Sequence, residues 1–192
     1  MILNYLPTFV QTTVGSIFES PQRVIIFVDG SNFYHSLKKS FGSAKIDLLK
    51  FCSFVSKGKK LIAIKYYLSP LNQLDNPKNY AAQQLFLEKL KQLKIVSVFL
   101  GRLEKRPDGG KVEKGIDVKL AIDLFAGAVR GEFDEAILIS NDADFVPAIQ
   151  EVQALGKKVV NVSFPKTKSY HLNKICDETI IIHSIKDFLL AK

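Results

Sequence analysis

The stretch Val24-Ile-Ile-Phe-Val-Asp-Gly-Ser-Asn-Phe33 decides the fold. Its first five residues are apolar, rich in β-branched side chains and do not alternate with polar ones. A strand buried on both faces reads this way, and such strands belong to parallel sheets covered by helices on either side. Asp29 ends the run, Gly30 lets the chain turn sharply, and Asn32 stands where a helix is expected to begin. The run Ala136-Ile-Leu-Ile-Ser140 repeats the pattern and is followed by Asp142 and Asp144. Parallel sheets bind ligands beyond the C-terminal ends of their strands. If the two strands are neighbours, their aspartates meet there, joined by Asp117 from the start of a helical pattern. Converging carboxylates repel one another unless a cation lies between them, and hard oxygen donors of this kind suit Mg2+ or Mn2+.

Working outward, strand and helix patterns alternate without a linker, repeat or low-complexity stretch, which argues for a doubly wound α/β domain. Strands are expected at 24–28, 61–68, 95–100, 136–140, 159–164 and 179–182. Helices are expected from about 32, at 46–55 with Leu48, Leu49, Phe51 and Cys52 inward, and at 79–93 with Leu85, Phe86, Leu90 and Leu93 inward. Others follow at 117–129, 145–155 and 170–175, with a last helical turn ending at Leu190. Gly156 is placed to terminate the 145–155 helix. The charged, glycine-rich stretch 101–115 is either a loop or a short hairpin. Residues 1–22 read as an N-terminal extension, leaving 23–192 as the domain with its C-terminal strand and helix.

The 192 residues are 47% hydrophobic, enough for a core without disulfides. Cys52 and Cys176 form no CxxC pair and lie among apolar residues, as reduced, buried thiols of a cytoplasmic protein do. No apolar run reaches the roughly 18 residues a membrane span needs. His35, His171 and His183 lack zinc-ligand spacing, and no phosphate-binding glycine loop of either common type occurs. Lys and Arg number 27 against 19 Asp and Glu, a net charge of +8. With several aspartates committed to one cluster, the remaining surface is more basic still. Such a field attracts a polyanion, RNA or DNA, although a basic surface also serves solubility alone.

Each candidate residue also has a plainer explanation. Asn32 is either a polar companion of the site or a helix N-cap. Asp142 and Asp144, two apart beyond a strand, could both approach one ion, yet Asp144 before Phe145-Val-Pro147 is also placed to cap a helix. Asp117 either ligates or complements the positive end of its helix, while Asp123 lies on another face of that helix. Ser140 could add a hydroxyl to metal or phosphate. Lys114 and Lys119 flank Asp117, and Arg102, Lys105, Arg106 and Lys111 precede it, diluted by Glu104, Asp108 and Glu113. Phe33, Tyr34 and Tyr67 are either base-stacking or packing aromatics.

Taken in order, Val28-Asp-Gly-Ser-Asn-Phe33, Lys114-Gly-Ile-Asp-Val-Lys119 and Ile139-Ser-Asn-Asp-Ala-Asp-Phe145 resemble the NYN domain of the PIN-like nuclease superfamily, especially its bacterial LabA-like branch, over roughly 23–164. The resemblance implies a Rossmann-like, PIN-like three-layer sandwich with a mainly parallel central sheet. It further implies an acidic pocket holding Mg2+ or Mn2+ and cleavage of single-stranded RNA. The family's acidic residues map onto Asp29, Asp117, Asp142 and Asp144, with Asn32 as companion. Many members carry Gly where this chain has Asn141 and Ala143. The expected function is thus a metal-dependent ribonuclease, with Lys114, Arg102, Asn32 and Ser140 on the substrate side. A homodimer would be unsurprising, and a membrane partner is not expected. An RNA-binding regulatory module of the same fold and a phosphohydrolase of small substrates are the alternatives.

Overall fold

The computed structural model describes residues 20–74, 76–105 and 111–190, with the backbone alone at 103–105 and 111–113. Most of the expected extension, residues 1–19, lies outside the described residues, as does the 106–110 centre of the glycine-rich stretch. The strands are β1 (Arg23–Asp29), β2 (Lys60–Leu68), β3 (Val96–Leu100), β4 (Arg102–Lys105), β5 (Lys111–Lys114), β6 (Glu135–Ile139), β7 (Lys158–Ser163) and β8 (Glu178–Ile181). Interleaved with them are α1 (Gly30–Phe41), α2 (Leu48–Val55), α3 (Pro77–Lys91), α4 (Ile116–Val129), α5 (Val146–Ala154) and α6 (Tyr170–Ile175). Six strands form one all-parallel sheet in the order β3-β2-β1-β6-β7-β8. Each falls within one residue of its expected limits. The glycine-rich stretch resolves its two readings in favour of a hairpin: β4 and β5 pair antiparallel, apart from the main sheet.

Alternate residues of β1 feed two cores. Val24, Ile26 and Val28 pack with Phe33, Leu37, Phe51 and Leu90 of α1, α2 and α3. Ile25 and Phe27 pack with Leu120, Leu124, Ile149 and Leu172 of α4, α5 and α6. This makes the fold a three-layer sandwich, and it explains why β1 is apolar at every position from Val24 to Val28: it has no solvent face. Burying a side chain the size of Phe or Ile contributes about 1.5–3 kcal/mol, and the sheet centre buries such side chains on both faces.

Two helices differ from expectation. Helix α3 begins earlier, at Pro77, a residue suited to the first turn because its missing N–H is not needed there. It buries Leu87 and Leu90, while Leu85 is 55% exposed. Over an edge strand such as β3 a helix covers only a narrow apolar stripe: Leu90 is buried and Phe86 and Leu93 pack partly buried against the core as expected, while Leu85 falls outside it. Helix α1 begins at Gly30, with Asp29 as its N-cap. Gly30 does not have positive φ. Glycine is required by proximity, because a Cβ would lie 2.5 Å from Tyr66 Cε1 and 2.8 Å from the Tyr67 carbonyl oxygen on β2. Gly156 does adopt the left-handed conformation, φ 73°, just beyond α5. Both cysteines are free, Cys52 buried and Cys176 half-buried, and burial pushes both thiols upward, Cys176 to about 12. Among the described residues no helix is long and apolar enough to cross a membrane.

Candidate active site

β1 and β6 are neighbours, and the sheet winds outward from them in opposite directions. A crevice opens beyond the strand ends at such a switch point. Here it is a cavity of about 420 Å³ whose lining includes Asp29, Asn32, Asp117, Asn141 and Asp142. Three of the four aspartates expected at the site therefore share one cavity. The fourth, Asp144, is exposed and lies outside its lining.

Asp29 is held from both sides. Its Oδ1 accepts the Asn32 N–H at 3.0 Å and its Oδ2 accepts the Ser140 hydroxyl at 3.0 Å. It is only 8% exposed, and burial pushes its carboxyl up to about 6. The two hydrogen bonds pull the other way, and the negative charges of Asp117 and Asp142 add to the rise. At the opposite end of the sheet carboxylates are paired with cations. There Arg23 grips Asp134 at 2.8 and 3.1 Å, and Lys59 reaches buried Glu135 at 2.5 Å. The hydrogen bonds that hold Asp29 come instead from a neutral amide and a neutral hydroxyl.

Neither the Asn32 nor the Asp144 cap reading holds. Asn32 is not an N-cap, since Asp29 fills that role. Its Oδ1 instead accepts from the Asn141 N–H at 3.2 Å, from Asn141 Nδ2 at 2.7 Å and from the Ser36 hydroxyl at 3.4 Å, tying α1 to the end of β6. Asp142, not Asp144, caps the following 3-10 turn (Ala143–Phe145), accepting the Asp144 N–H at 2.9 Å. That turn carries Asp144 outward to solvent. Ser140 is buried, and its hydroxyl is engaged by Asp29 and by the Asp142 N–H at 3.1 Å. Its role here is to position two carboxylates. Asp117 sits in the first turn of α4, where both its readings, site residue and partner of the helix dipole, are compatible. Arg102 and Lys114 line an adjacent cavity.

Among the residues of the site that the sequence reading does not place in it are Asn141, His35, Ser36 and Lys39. The last three join Asn32 at positions i, i+3, i+4 and i+7 of α1, one polar stripe facing the cavity. That spacing is visible in the sequence. Asp123 is explained by pairing: it accepts the Tyr67 hydroxyl at 2.9 Å and Lys119 Nζ at 2.5 Å.

The donors available are carboxylate, amide and hydroxyl oxygens, the set that suits a hard divalent cation. Among the described residues no three acidic, histidine or cysteine side chains close into a metal cage. Mg2+ fits that arrangement, being held by one or two carboxylates with water and phosphate completing its shell. Asp29, Asp117 and Asp142, which line the cavity, are the carboxylates from which one or two could be drawn to hold it.

Comparison with known proteins places the chain. A protein of Methanocaldococcus jannaschii described as uncharacterized is 28% identical over 160 residues, covering 83% of this chain; the match spans 55% of that protein's length. The low amplitude and bright protein LabA of Synechococcus elongatus is 22% identical over 174 residues, 88% of each chain. A crystal structure of a protein of unknown function from Vibrio parahaemolyticus superposes with a TM-score of 0.70 at 25% identity, covering 90% of this chain and 98% of that one. The family model of the NYN domain matches residues 23–184, a span that takes in β1, α1, α4, β6 and every aspartate of the cavity, and the chain belongs to the NYN domain family.

Proposed function

We propose that this protein is a divalent-metal-dependent nuclease that hydrolyses phosphodiester bonds of single-stranded RNA. The NYN domain belongs to the PIN-like nuclease superfamily, and nuclease-like domains of this kind generally bind RNA. The observation that carries the reading is Asp29: a carboxylate buried behind Ser140 and the α1 N-terminus, sharing a cavity with two more carboxylates. A fold that maintains such repulsion gains when a cation enters.

A bound divalent ion would supply polarisation of the attacking water and neutralisation of the charge developing on the phosphate. The chain's own residues prepare the place. Asp29 is fixed in orientation, because both of its oxygens are hydrogen-bonded. Asp142 is fixed by its cap, and Asp117 reaches the cavity from α4. Asn32 and Asn141 lock the β6 turn against α1, holding the distance between Asp29 and Asp142. Lys39 and His35, on the α1 wall, meet an anionic substrate. Asp144, turned to solvent, is assigned no step.

A second reading, an RNA-binding module with little turnover, is favoured by the open spacing of the carboxylates. The deciding experiment is cleavage of labelled single-stranded RNA by the protein and by Asp142→Asn, in Mn2+, Mg2+ and EDTA. Product formation lost in both the variant and EDTA supports the nuclease. Binding without product in any metal would replace it with the regulatory module.

A further inference from the structure

Helix α4 is apolar on two sides. Leu120, Leu124 and Ala128 face the core, while Val118, Ile122, Phe125 and Val129 are between 40% and 62% exposed. Spaced by four, three and four residues, these last form one stripe along the outer face. The charges of the helix middle lie elsewhere: Lys119 pairs with Asp123, which also accepts the Tyr67 hydroxyl. A helix apolar all round is ordinarily covered all round, and a contiguous exposed apolar patch marks a contact surface. The described residues leave this one open to solvent.

The chain itself supplies an occupant. Residues 1–18 contain ten apolar side chains and no charged one, in a chain that is 24% charged. Solvated tails have the opposite composition, poor in apolar and rich in charged residues. The NYN match begins only at residue 23, so the family fold does not account for this stretch. The place where it joins the fold also suits the stripe. Ile116 and Asp117, at the start of α4, line the cavity at the C-terminal ends of the strands. The helix therefore ends at the opposite edge of the sheet, where Asp134, just past it, donates its N–H to the Arg23 carbonyl at 2.9 Å. Residue 20 thus enters the structure at the Val129 end of the stripe. From Val118 to Val129 the stripe is about 16 Å long, at about 1.5 Å per residue. Rounding a helix about 10–12 Å across takes about four extended residues at about 3.3 Å each, which leaves ample chain to run its length. A second copy would instead bring two bodies of net charge +8 together, whereas the tethered segment is uncharged and always near.

We propose that the outer face of α4 is a docking surface for the chain's own residues 1–18, which run along it in the direction of the helix and cover Val118, Ile122, Phe125 and Val129. The far end of the segment then rests beside Val118, next to Asp117 in the cavity wall. This contact goes beyond the nuclease reading and does not depend on it.

The chain contains no Trp, so Phe125→Trp in the full chain places a single reporter indole in the stripe. Its emission wavelength and its quenching by acrylamide are measured over a range of protein concentrations, with mass from sedimentation and a melting curve for every variant. The indole is expected to be shielded in the monomer at every concentration. Adding Val10→Asp with Val14→Asp should move the emission to longer wavelength and raise the quenching severalfold, whereas Val10→Ile with Val14→Ile should leave both unchanged. From the other partner, Ile122→Asp at an exposed position should uncover the indole with the segment unaltered, and this arm decides if the aspartates in the segment impair folding. Shielding that persists in the aspartate variants, or an indole equally exposed in all of them and in the parent, overturns the proposal. So does shielding lost on dilution as a dimer dissociates, which would make a second copy the occupant.

Discussion

Between pH 3.8 and about 6 the folded chain holds a proton at Asp29 that the unfolded chain releases. Burial, with the charges of Asp117 and Asp142, raises its carboxyl to about 6 from the ordinary 3.8. The associated stabilisation is complete below the ordinary value and is lost as pH rises through the raised one. Asp29→Asn keeps an oxygen for the Asn32 N–H and a polar partner for Ser140 while removing the charge. It should therefore raise stability at neutral pH by up to about 3 kcal/mol, at about 1.36 per pKa unit. The gain should vanish near pH 4, as urea denaturation at the two pH values would reveal. Ser140→Ala removes a hydrogen bond to the ionised form. The Asp29 carboxyl should climb further, moving the acid limb of a pH–rate profile upward by about one unit; an unmoved limb would mean that Asp29 does not set it. At this scale the sequence is legible where chemistry follows position along a strand: Asp29, Asp117 and Asp142 stand at element ends. It is less legible where a turn chooses between neighbours. Two residues apart in extended backbone, Asp142 and Asp144 would face the same way, but the 3-10 turn capped by Asp142 directs Asp144 outward.

Among the elements, contact between β1, α1 and β2 depends on the missing side chain at Gly30. Gly30→Ala sets a methyl against the Tyr66 ring and the Tyr67 carbonyl. The ring has little room to yield in a packed core, so a loss of about 1–3 kcal/mol is expected in thermal or urea unfolding. The end of β6 depends on another buried side chain. Pairing between β6 and β7 stops at Leu138 opposite Asn161. The Asn161 amide then donates to the Leu138 carbonyl at 3.3 Å and to the Ser140 carbonyl at 2.8 Å. In effect an amide side chain continues the ladder while the strands part. Asn161→Leu leaves the Ser140 carbonyl without that donor, at a cost of about 1–3 kcal/mol, and should impair activity because Ser140 positions Asp29; unfolding and rate measurements on one preparation would check both. Strands and helices are legible because a buried parallel strand and an amphipathic helix leave distinct periodicities. Asn161 is not, since inside an apolar strand its purpose depends on a neighbour 21 residues upstream. The inward face of α3 departs from expectation at Leu85 because the helix's own sequence does not disclose how little of it an edge strand covers.

Over the whole molecule, a chain of net charge +8 gathers three carboxylates in one cavity. If the carboxylates take Mn2+, saturating metal should stabilise the fold by mass action, about 2.7 kcal/mol at a hundredfold excess over Kd. The shift in melting temperature should disappear with EDTA and in Asp29→Asn; an equal shift in both proteins would place the ion elsewhere. The seam between β1 and β6 carries one more consequence, concerning time rather than geometry. Val24 pairs with Glu135, and Asp29 receives one of its two hydrogen bonds from a serine 111 residues later. During synthesis β1 can meet β2 and β3 early, but the half of the crevice that holds Asp142 does not exist until β6 has emerged from the ribosome. A nascent chain short of that point already carries Asp29 and Asp117 yet has no crevice between β1 and β6, so whatever activity this protein has begins only when its central pairing closes.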